Sequence, residues 1–367
     1  MRIESIKLQN FRNIEWAELT LSGRQHFFVG PNAQGKTNLL EAVGLITALR
    51  SFRTYQDFSP LIRTGEQEAR LHFLIDHETL GRTELEIHLG RHSRHVFLDG
   101  QKLRSWADFL GKFVTVVFAS GDRQWVAGAP GLRRKWLDTT ISCLDPEYFE
   151  ALRRYSKALV ARNRLLKTKG SADVLQSMDR VMAKDGLVII QARTQHMHRL
   201  AELFLEVYLQ LTDGREQAIM AYAPDTQVQS VQELEDLWQK HLSRDFLYGQ
   251  TQKGPHRDDL VFEINATAVR DFASEGQQRS AVLAMRLAQM RYMHAKLGIA
   301  PVLLADDILN ELDQTREQRF WSLIPQGTQL LATATELPRS DCVAQLWDVC
   351  AGRFDLRALQ PIMTAAL

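Results

Sequence analysis

Eight residues constrain this chain more than any other stretch. GPNAQGKT, Gly30 to Thr37, spells G-x-x-x-x-G-K-[ST] directly after the short apolar run Phe27-Phe28-Val29. It stands just before helical spacing at Leu39, Leu40, Val43, Ile46, Ala48 and Leu49. Strand, glycine loop and helix in that order frame a phosphate site. The glycines let successive backbone N–H groups turn inward, and a helix starting at about Lys36 adds its positive end. Gly30, Pro31, Asn32, Ala33, Gln34, Gly35, Lys36, Thr37 and Asn38 are therefore the candidate phosphate-binding residues, with Lys36 reaching the β- and γ-phosphates and Thr37 holding Mg²⁺. The plain alternative is a glycine turn that binds nothing, and the flanking strand and helix weigh against it.

A second signal is PVLLADD, Pro301 to Asp307, an apolar strand that delivers two adjacent carboxylates at its end. Open α/β sheets place their ligands there. Asp306 is expected to bind Mg²⁺ through water, and Asp307 to orient or deprotonate the water attacking a γ-phosphate. Paired aspartates after a strand also serve as turn formers or helix caps. Coupled to the phosphate loop, Lys36, Asp306 and Asp307 are the candidate catalytic residues.

A third signal, ASEGQQRS from Ala273 to Ser280, precedes a helical stretch carrying Val282, Leu283, Met285, Leu287 and Met290. By itself, Ser-x-Gly before a helix is an ordinary N-cap. A serine hydroxyl, backbone N–H groups and a helix dipole also make an anion site. Phosphate loop, signature and carboxylates stand here in the order of the ABC-type ATPase head, whose signature binds the nucleotide held by the other subunit. ATP then joins two heads, and hydrolysis removes the γ-phosphate that both contact. Ser274, Gly276 and Gln277 thereby join the nucleotide-binding candidates. NELD, Asn310 to Asp313, stands where that class has its dimer-contact loop and adds Asp313.

Around these motifs the periodicity predicts an α/β lobe interrupted by a helical insertion. Ile3, Ile6 and Leu8 alternate as in a strand, and LHFLID, TELEIHL and HVFLDG between Leu71 and Leu98 read as an antiparallel sheet. From Pro146 to about Leu211 the spacing is helical, broken by polar stretches such as KTKGSAD, which predicts an all-helical insertion. Past Gly249 short motifs and strands return, notably Pro301 to Ala305 and Leu330-Leu331-Ala332. Residues 1–120 are assigned to the N-terminal part of the ATPase lobe, 121–248 to a helical arm and 249–367 to the rest of the lobe. Without long heptad runs, the arm is a compact bundle.

Charge is distributed unevenly. The formal net charge is +1, yet Arg123 to Leu200 holds 15 Lys and Arg against 7 Asp and Glu. A basic block in an otherwise acidic chain predicts contact with a polyanion, the alternative being solvated helix faces. If one helix runs unbroken at about 100° per residue, Arg153, Lys157, Arg164 and Lys167 fall in one stripe that tracks phosphates without reading bases. Cys143, Cys342 and Cys350 form no Cys-x-x-Cys pair, which fits a reducing cytoplasm rather than a disulfide framework or zinc site. His92, His95, His196 and His198 are closely spaced without the partners a metal site needs. The opening MRIESIKLQNFRNIEW lacks a continuous apolar core, and no later run approaches bilayer length, so a soluble cytoplasmic protein without a membrane partner is expected.

Further fingerprints are LQNFRN at Leu8 to Asn13, SFRT at Ser51 to Thr54, LRRKWLD at Leu132 to Asp138, ARNRLLK at Ala161 to Lys167 and GPHRDDL at Gly254 to Leu260. With GPNAQGKTNLLEA, the signature and LLADDILNELDQTR, they make the chain resemble the RecF family of bacterial recombination mediators over essentially its full length. That family is related to the Rad50 and SMC heads. The resemblance implies an α/β fold, an ABC-type P-loop ATPase head with a mixed sheet and antiparallel β-subdomain as lobe I and an inserted α-helical arm as lobe II. It implies an ATP-dependent homodimer that binds duplex and gapped DNA without sequence preference, with slow DNA-dependent hydrolysis as the release switch. It also implies action with RecR and RecO in placing RecA on single-strand gaps, within replication, recombinational repair and the SOS response. Arg12 and Asn13 would by resemblance meet the nucleotide's phosphates, and Arg53 is a similar case. His256 and Arg257 lie in the fingerprint without an assigned role.

The pattern departs from related heads at three places. LLATATELP offers no switch histidine, leaving Thr333 or Thr335 to touch the γ-phosphate. Asp307 stands where transporter heads carry glutamate, which implies slower turnover. Ser120-Gly121-Asp122 replaces a proline-acidic step after Val116-Val117-Phe118. The ATPase subunit of a membrane transporter is the alternative that shares all three motifs. A P-loop small-molecule kinase would use Lys36 and Thr37 but has no use for ASEGQ or NELD.

Overall fold

The structure, a computed structural model, describes residues 1–49, 51–53, 58–307, 314–336 and 343–361. Asp313 with the rest of NELD, Thr54 and Cys342 lie outside the described residues. The chain divides into two compact units, Met1–Asp122 with Gln289–Leu367, and Arg123–Ala288.

In the first unit β1 (Arg2–Phe11) and β2 (Ile14–Thr20) form a hairpin, β3 (Gln25–Val29) leads into the phosphate loop, and α1 (Lys36–Ala48) leaves it. The helix begins at Lys36, where the spacing predicted. β4 (Glu68–His77), β5 (Gly81–Gly90), β6 (Arg94–Leu98) and β7 (Gln101–Lys102) complete an antiparallel sheet ordered β2-β1-β4-β5-β6-β7. Ile3 and Ile6 are both fully buried although strict alternation would turn one of them outward. A bulge between Ile3 and Ser5 inserts one residue, so Ile3 faces Ile75 and Ile6 faces Phe73 on the same inner side. β8 (Thr115–Ala119) closes this pass, with Asp122 accepting from the Ala119 N–H at 3.2 Å.

The second unit opens with α2 (Arg123–Ala127), α3 (Pro130–Ser142), α4 (Pro146–Lys167) and α5 (Ala172–Thr212). Asp145 caps α4 by accepting from the Tyr148 N–H, with Pro146 at the first helical position, and KTKGSAD spans the break before α5. The stretch from Pro146 to Leu211 is helical apart from the short break at 168–171, as its spacing predicted, but the 121–248 arm is not helical throughout, since a strand follows α5. β9 (Ala218–Ala223), α6 (Val231–Tyr248), β10 (Asp259–Ile264), β11 (Thr267–Ala268) and α7 (Val269–Phe272) follow, and the three strands form a sheet ordered β11-β10-β9. α8 (Glu275–Leu297) begins in this unit.

The expected return to the ATPase lobe at residue 249 falls inside the second unit. β10 pairs with β9 from Asp259↔Ala223 to Ile264↔Ala218, which ties residues 249–288 to the segment before them. Arg193 of α5, 2% exposed, donates to Asp138 at 2.7 Å, to Asp258 at 2.8 Å and to the Pro255 carbonyl at 2.6 Å. Arg162 of α4 is fully buried between Asp179 at 2.6 Å and Asp245 at 2.7 Å. Arg133 grips Asp259 at 2.7 Å. Arg133 and Asp138 of LRRKWLD, Arg162 of ARNRLLK, and Asp258 and Asp259 of GPHRDDL are thus engaged in buried or half-buried ion pairs, and losing one partner of a fully buried pair costs about 3–5 kcal/mol.

The first unit resumes with β12 (Val302–Asp306), α9 (Gln314–Leu323), β13 (Leu330–Ala334), β14 (Val343–Cys350) and β15 (Arg353–Pro361). Its second sheet has the order β15-β14-β3-β13-β12-β8, parallel except at β15. β12 is buried at every residue, as a strand covered on both faces must be. Leu39, Leu40, Val43 and Ile46 of α1 share one core cluster with Ile6 and Leu8 of the first sheet and Leu304 and Leu331 of the second. Among the described residues, no helix is long and apolar enough to cross a membrane.

Candidate nucleotide-binding site

The carboxyl ends of three neighbouring parallel strands meet at the phosphate loop. β3 supplies the loop, β12 supplies Asp306, and β13 lies between them, its Thr333 in register with Asp306 on one side and Phe28 on the other. A side chain on Gly30 would run into the Val349 carbonyl. Gly35 has φ 111°, and a Cβ there would come within 2.9 Å of Asn13 Oδ1. Only glycine suits that backbone. Gly35 is the N-cap of α1 without a side-chain cap, and the first turn carries no acid, so the helix start keeps its N–H groups for an anion.

Lys36, 3% exposed, folds back so that Nζ donates to the Gly30 carbonyl and, at 3.2 Å, to the Pro31 carbonyl. Pro31, Asn32 and Ala33 are exposed at the loop crest. The β14–β15 turn anchors Gln34, whose carbonyl accepts from the Gly352 N–H at 2.8 Å and whose Oε1 accepts from the Ala351 N–H at 2.7 Å. Asn38 Nδ2 donates to Asn13 Oδ1 at 2.8 Å.

Thr37 Oγ1 donates to Asp306 Oδ1 at 2.7 Å, and Thr333 Oγ1 donates to the same oxygen at 3.0 Å. Thr333 also accepts the Asp307 N–H at 2.9 Å, so one buried hydroxyl links both carboxylate residues. That hydroxyl is engaged within the protein. Burial holds the Asp306 carboxyl above its ordinary pKa, against the opposing hydroxyls of Thr37 and Thr333, and the neighbouring Asp307 charge adds to the rise. Asp307 takes a left-handed φ of 54°, and its buried Oδ1 has no hydrogen-bond partner among the described residues. A hydroxyl, a carboxylate with a raised pKa and an unpartnered carboxylate oxygen are the hard donors Mg²⁺ takes, directly or through water. Thr37 and Asp306 would hold the ion, with Asp307 beside it.

Beside the loop, Arg12 makes a two-pronged pair with Glu41, Nε at 2.9 Å and Nη2 at 2.7 Å. Glu41 is fully buried and also accepts from Ser51 Oγ and from Arg53 Nη1 at 3.5 Å. Arg53 reaches Asn38 Oδ1 at 2.9 Å. Arg12, Asn13, Asn38 and Arg53 line a 560 Å³ cleft together with Pro60, Ile62, Arg63 and Thr64. Glu41 is a residue the sequence reading passed over. Its signal was an acid among apolar neighbours, directly after Leu39 and Leu40 and before Ala42 and Val43.

In the second unit, Ser274 and Gln277 form a reciprocal capping box at α8. Ser274 Oγ accepts from the Gln277 N–H at 3.3 Å, and Gln277 Oε1 accepts from the Ser274 N–H at 2.9 Å. Gln277 Nε2 is further held by Glu216 at 2.8 Å, and the Gly276 carbonyl accepts from Ser280 Oγ at 3.0 Å. Ser274 is exposed and caps the helix within its own chain. On α4, Arg153, Lys157, Arg164 and Lys167 are all exposed, Arg153 pairing with Glu150 at 2.7 Å. His256 is half-buried: its Nδ1 accepts from Tyr155 Oη at 2.8 Å, its Nε2–H donates to the Thr251 carbonyl at 3.0 Å, and desolvation lowers its pKa to about 4.

The RecF/RecN/SMC N terminal domain family matches residues 2–349. The DNA replication and repair protein RecF of Leptospira interrogans serogroup Icterohaemorrhagiae serovar Lai (strain 56601) is 36% identical over 354 residues, 95% of this chain and 96% of that protein. This chain belongs to the RecF family. RecF of Thermosynechococcus vestitus (strain NIES-2133 / IAM M-273 / BP-1) is 34% identical over 348 residues, 92% of this chain and 91% of that protein. Among solved structures, the recombination mediator protein RecF-ATP of the RecFOR pathway superposes with a TM-score of 0.88 at 30% identity, covering 97% of both chains. An Smc head bound to the C-winged helix domain of ScpA shares the fold at a TM-score of 0.57 and 15% identity over 97% of both chains. The ABC-type head expected from the motif order is thus the fold of a RecF relative. With that family shown, the transporter-subunit and small-molecule-kinase readings fall away.

Proposed function

We propose that this protein is an ATP-switched DNA-binding protein of replication and recombinational repair, active as a dimer whose two copies share each nucleotide. The observation that carries the reading is the Lys36, Thr37, Asp306, Thr333 and Asp307 constellation at the ends of three adjacent parallel strands. Lys36 exchanges its loop carbonyls for the β- and γ-phosphates, while Thr37 and Asp306 hold Mg²⁺. Bound Mg²⁺ neutralises phosphate charge. Asp307, with a carboxylate oxygen to spare, orients the attacking water.

Ser274, Gly276 and Gln277 at the start of α8 meet the nucleotide held by the second copy, with Asp313 completing the contact. Only the γ-phosphate state joins the two heads, so hydrolysis by this slow, DNA-dependent ATPase releases them. The exposed α4 stripe of Arg153, Lys157, Arg164 and Lys167 tracks the backbone of duplex or gapped DNA without reading sequence. RecR and RecO are the protein partners on this reading, in the cytoplasm.

Sedimentation of the full chain with and without ATP and DNA tests it. The parent is expected to dimerise only with ATP and to bind DNA more tightly in that state. Lys36→Arg and Ser274→Arg should each remain monomeric. A Ser274→Arg protein that self-associates with ATP as readily as the parent sinks the shared-nucleotide reading.

A further inference from the structure

The solvent face of the antiparallel sheet carries a row of side chains that the nucleotide site does not use. Trp16 pairs with Gln9, Gln9 with Arg70, Arg70 with His88, and His88 with His95, so these five residues stand in line across β2, β1, β4, β5 and β6. Residues directly opposite in antiparallel pairs share a face, and at about 4.8 Å per strand the line is about 19 Å long. It contains an indole, an amide, a guanidinium and two imidazoles, and no carboxylate.

Trp16 is 55% exposed, whereas an indole that serves only packing is largely buried. Lys7, Gln9, Trp16, Arg70, His72 and His88 all border a single 290 Å³ hollow on this face, which Glu86 also lines. Among the described residues, Lys7 and Arg70 pair with solvated acids, Glu18 at 2.8 Å and Glu68 at 2.6 Å. Such exposed pairs are worth little and yield readily to a phosphate. Glu86 is turned onto His88 at 3.1 Å. Phe97, beside His88 at 4.8 Å between ring centroids, continues the aromatic surface.

We propose that this face binds single-stranded nucleic acid, one unpaired base stacking on Trp16 while Arg70 and Lys7 take the adjoining phosphates. An aromatic platform beside backbone-tracking cations is how sequence-tolerant single-strand sites are built. Duplex DNA cannot use it, because its bases are already stacked on one another. This site adds to the duplex-tracking stripe on α4 and rests on the nucleic-acid reading above for its class of ligand.

The test uses the full chain without ATP and a short fluorescein-labelled oligothymidylate, followed by anisotropy and by intrinsic tryptophan fluorescence. Binding is expected to quench the parent's fluorescence. Trp16→Ala should abolish most of the quench and weaken binding on the order of 10-fold, with Trp16→Phe recovering most of the affinity. Arg70→Ala should reduce the dependence of log K on log salt by about one unit. Both positions are solvent-exposed, and thermal unfolding curves matching the parent's are the check that the fold is retained. Duplex binding with ATP, measured in parallel, reports on the function proposed above and should not change in these variants. Parental oligothymidylate affinity in Trp16→Ala, or parental fluorescence unmoved at saturating oligothymidylate, overturns the single-strand site and leaves the face to a protein partner.

Discussion

Thr37 and Asp306, 269 residues apart in the chain, meet hydroxyl to carboxylate at 2.7 Å. The contact brings the start of α1 to the end of β12 and sets side by side the two oxygens expected to face Mg²⁺. Thr333 closes on the same carboxylate oxygen from β13. The site is therefore assembled by strand order, with β13 inserted between the two strands that carry the phosphate loop and the carboxylates.

Burial raises the pKa of Asp306 above the ordinary 3.8, so its ionised form is disfavoured in the folded protein relative to the unfolded chain. A folded-state pKa above the unfolded value means stability falls as pH rises through the unfolded value. Asp306→Asn keeps an acceptor for Thr37 and Thr333 and removes the charge. The nucleotide-free variant should melt on the order of 2 °C higher at neutral pH, with the gap closing in acid, while Mg²⁺-dependent ATP affinity falls at least about 10-fold. Calorimetric melts and titration with a fluorescent ATP analogue measure the two effects. A lower melting temperature would refute the stored cost.

The capping box separates two roles of Ser274. Ser274→Ala removes an N-cap and should cost about 1 kcal/mol in urea unfolding, with Ser274→Gly costing less. Ser274→Arg adds a bulky cation where the partner's nucleotide is proposed to sit, and should remove ATP-dependent dimerisation beyond anything the Ala variant loses. Parental ATP-dependent dimerisation in both variants would leave Ser274 a cap and nothing more.

Three of the arginines in the basic block, Arg133, Arg162 and Arg193, are interior and cannot meet DNA, which concentrates the prediction on the α4 surface. Changing Arg153, Lys157, Arg164 and Lys167 together to Glu should weaken duplex binding and lower the salt slope by about three to four units. Arg193→Met should instead act on folding, costing about 3–5 kcal/mol by leaving Asp138 and Asp258 unpaired. Binding isotherms across a salt series and unfolding curves distinguish the two classes.

Two histidines, the buried His26 and the half-buried His256, predict acid sensitivity. Burial lowers the pKa of His26 and of His256 from 6.5 to about 4. Between those values the unfolded chain binds more protons than the folded one, so stability is lost as pH falls from about 6.5 toward 4, at up to about 1.4 kcal/mol per pH unit for each histidine. His26 lies in the first unit and His256 in the second. His256→Gln should flatten the pH dependence of second-unit unfolding, read by urea titration at a series of pH values, and an unchanged slope would contradict the neutral-imidazole assignment.

Short-range chemistry was legible in the amino-acid sequence. The phosphate loop with its helix start at Lys36, the carboxylate pair ending β12, the strands from Leu71 to Leu98 and the Ser274 cap each depend on residues a few positions apart. Their signals are a periodicity, a glycine conformation or a cap, and these are properties of local chain geometry. The tertiary structure decided the rest. It turned Arg12 onto Glu41, placed Thr333 between Asp306 and Asp307, buried Arg162 and Arg193, and joined residues 249–288 to the helices before them. In each case the deciding partner is distant in sequence, as Asp258 is 65 residues from Arg193. A charge is interior only when folding delivers its counter-charge to the same spot, and strand order and helix packing make that delivery.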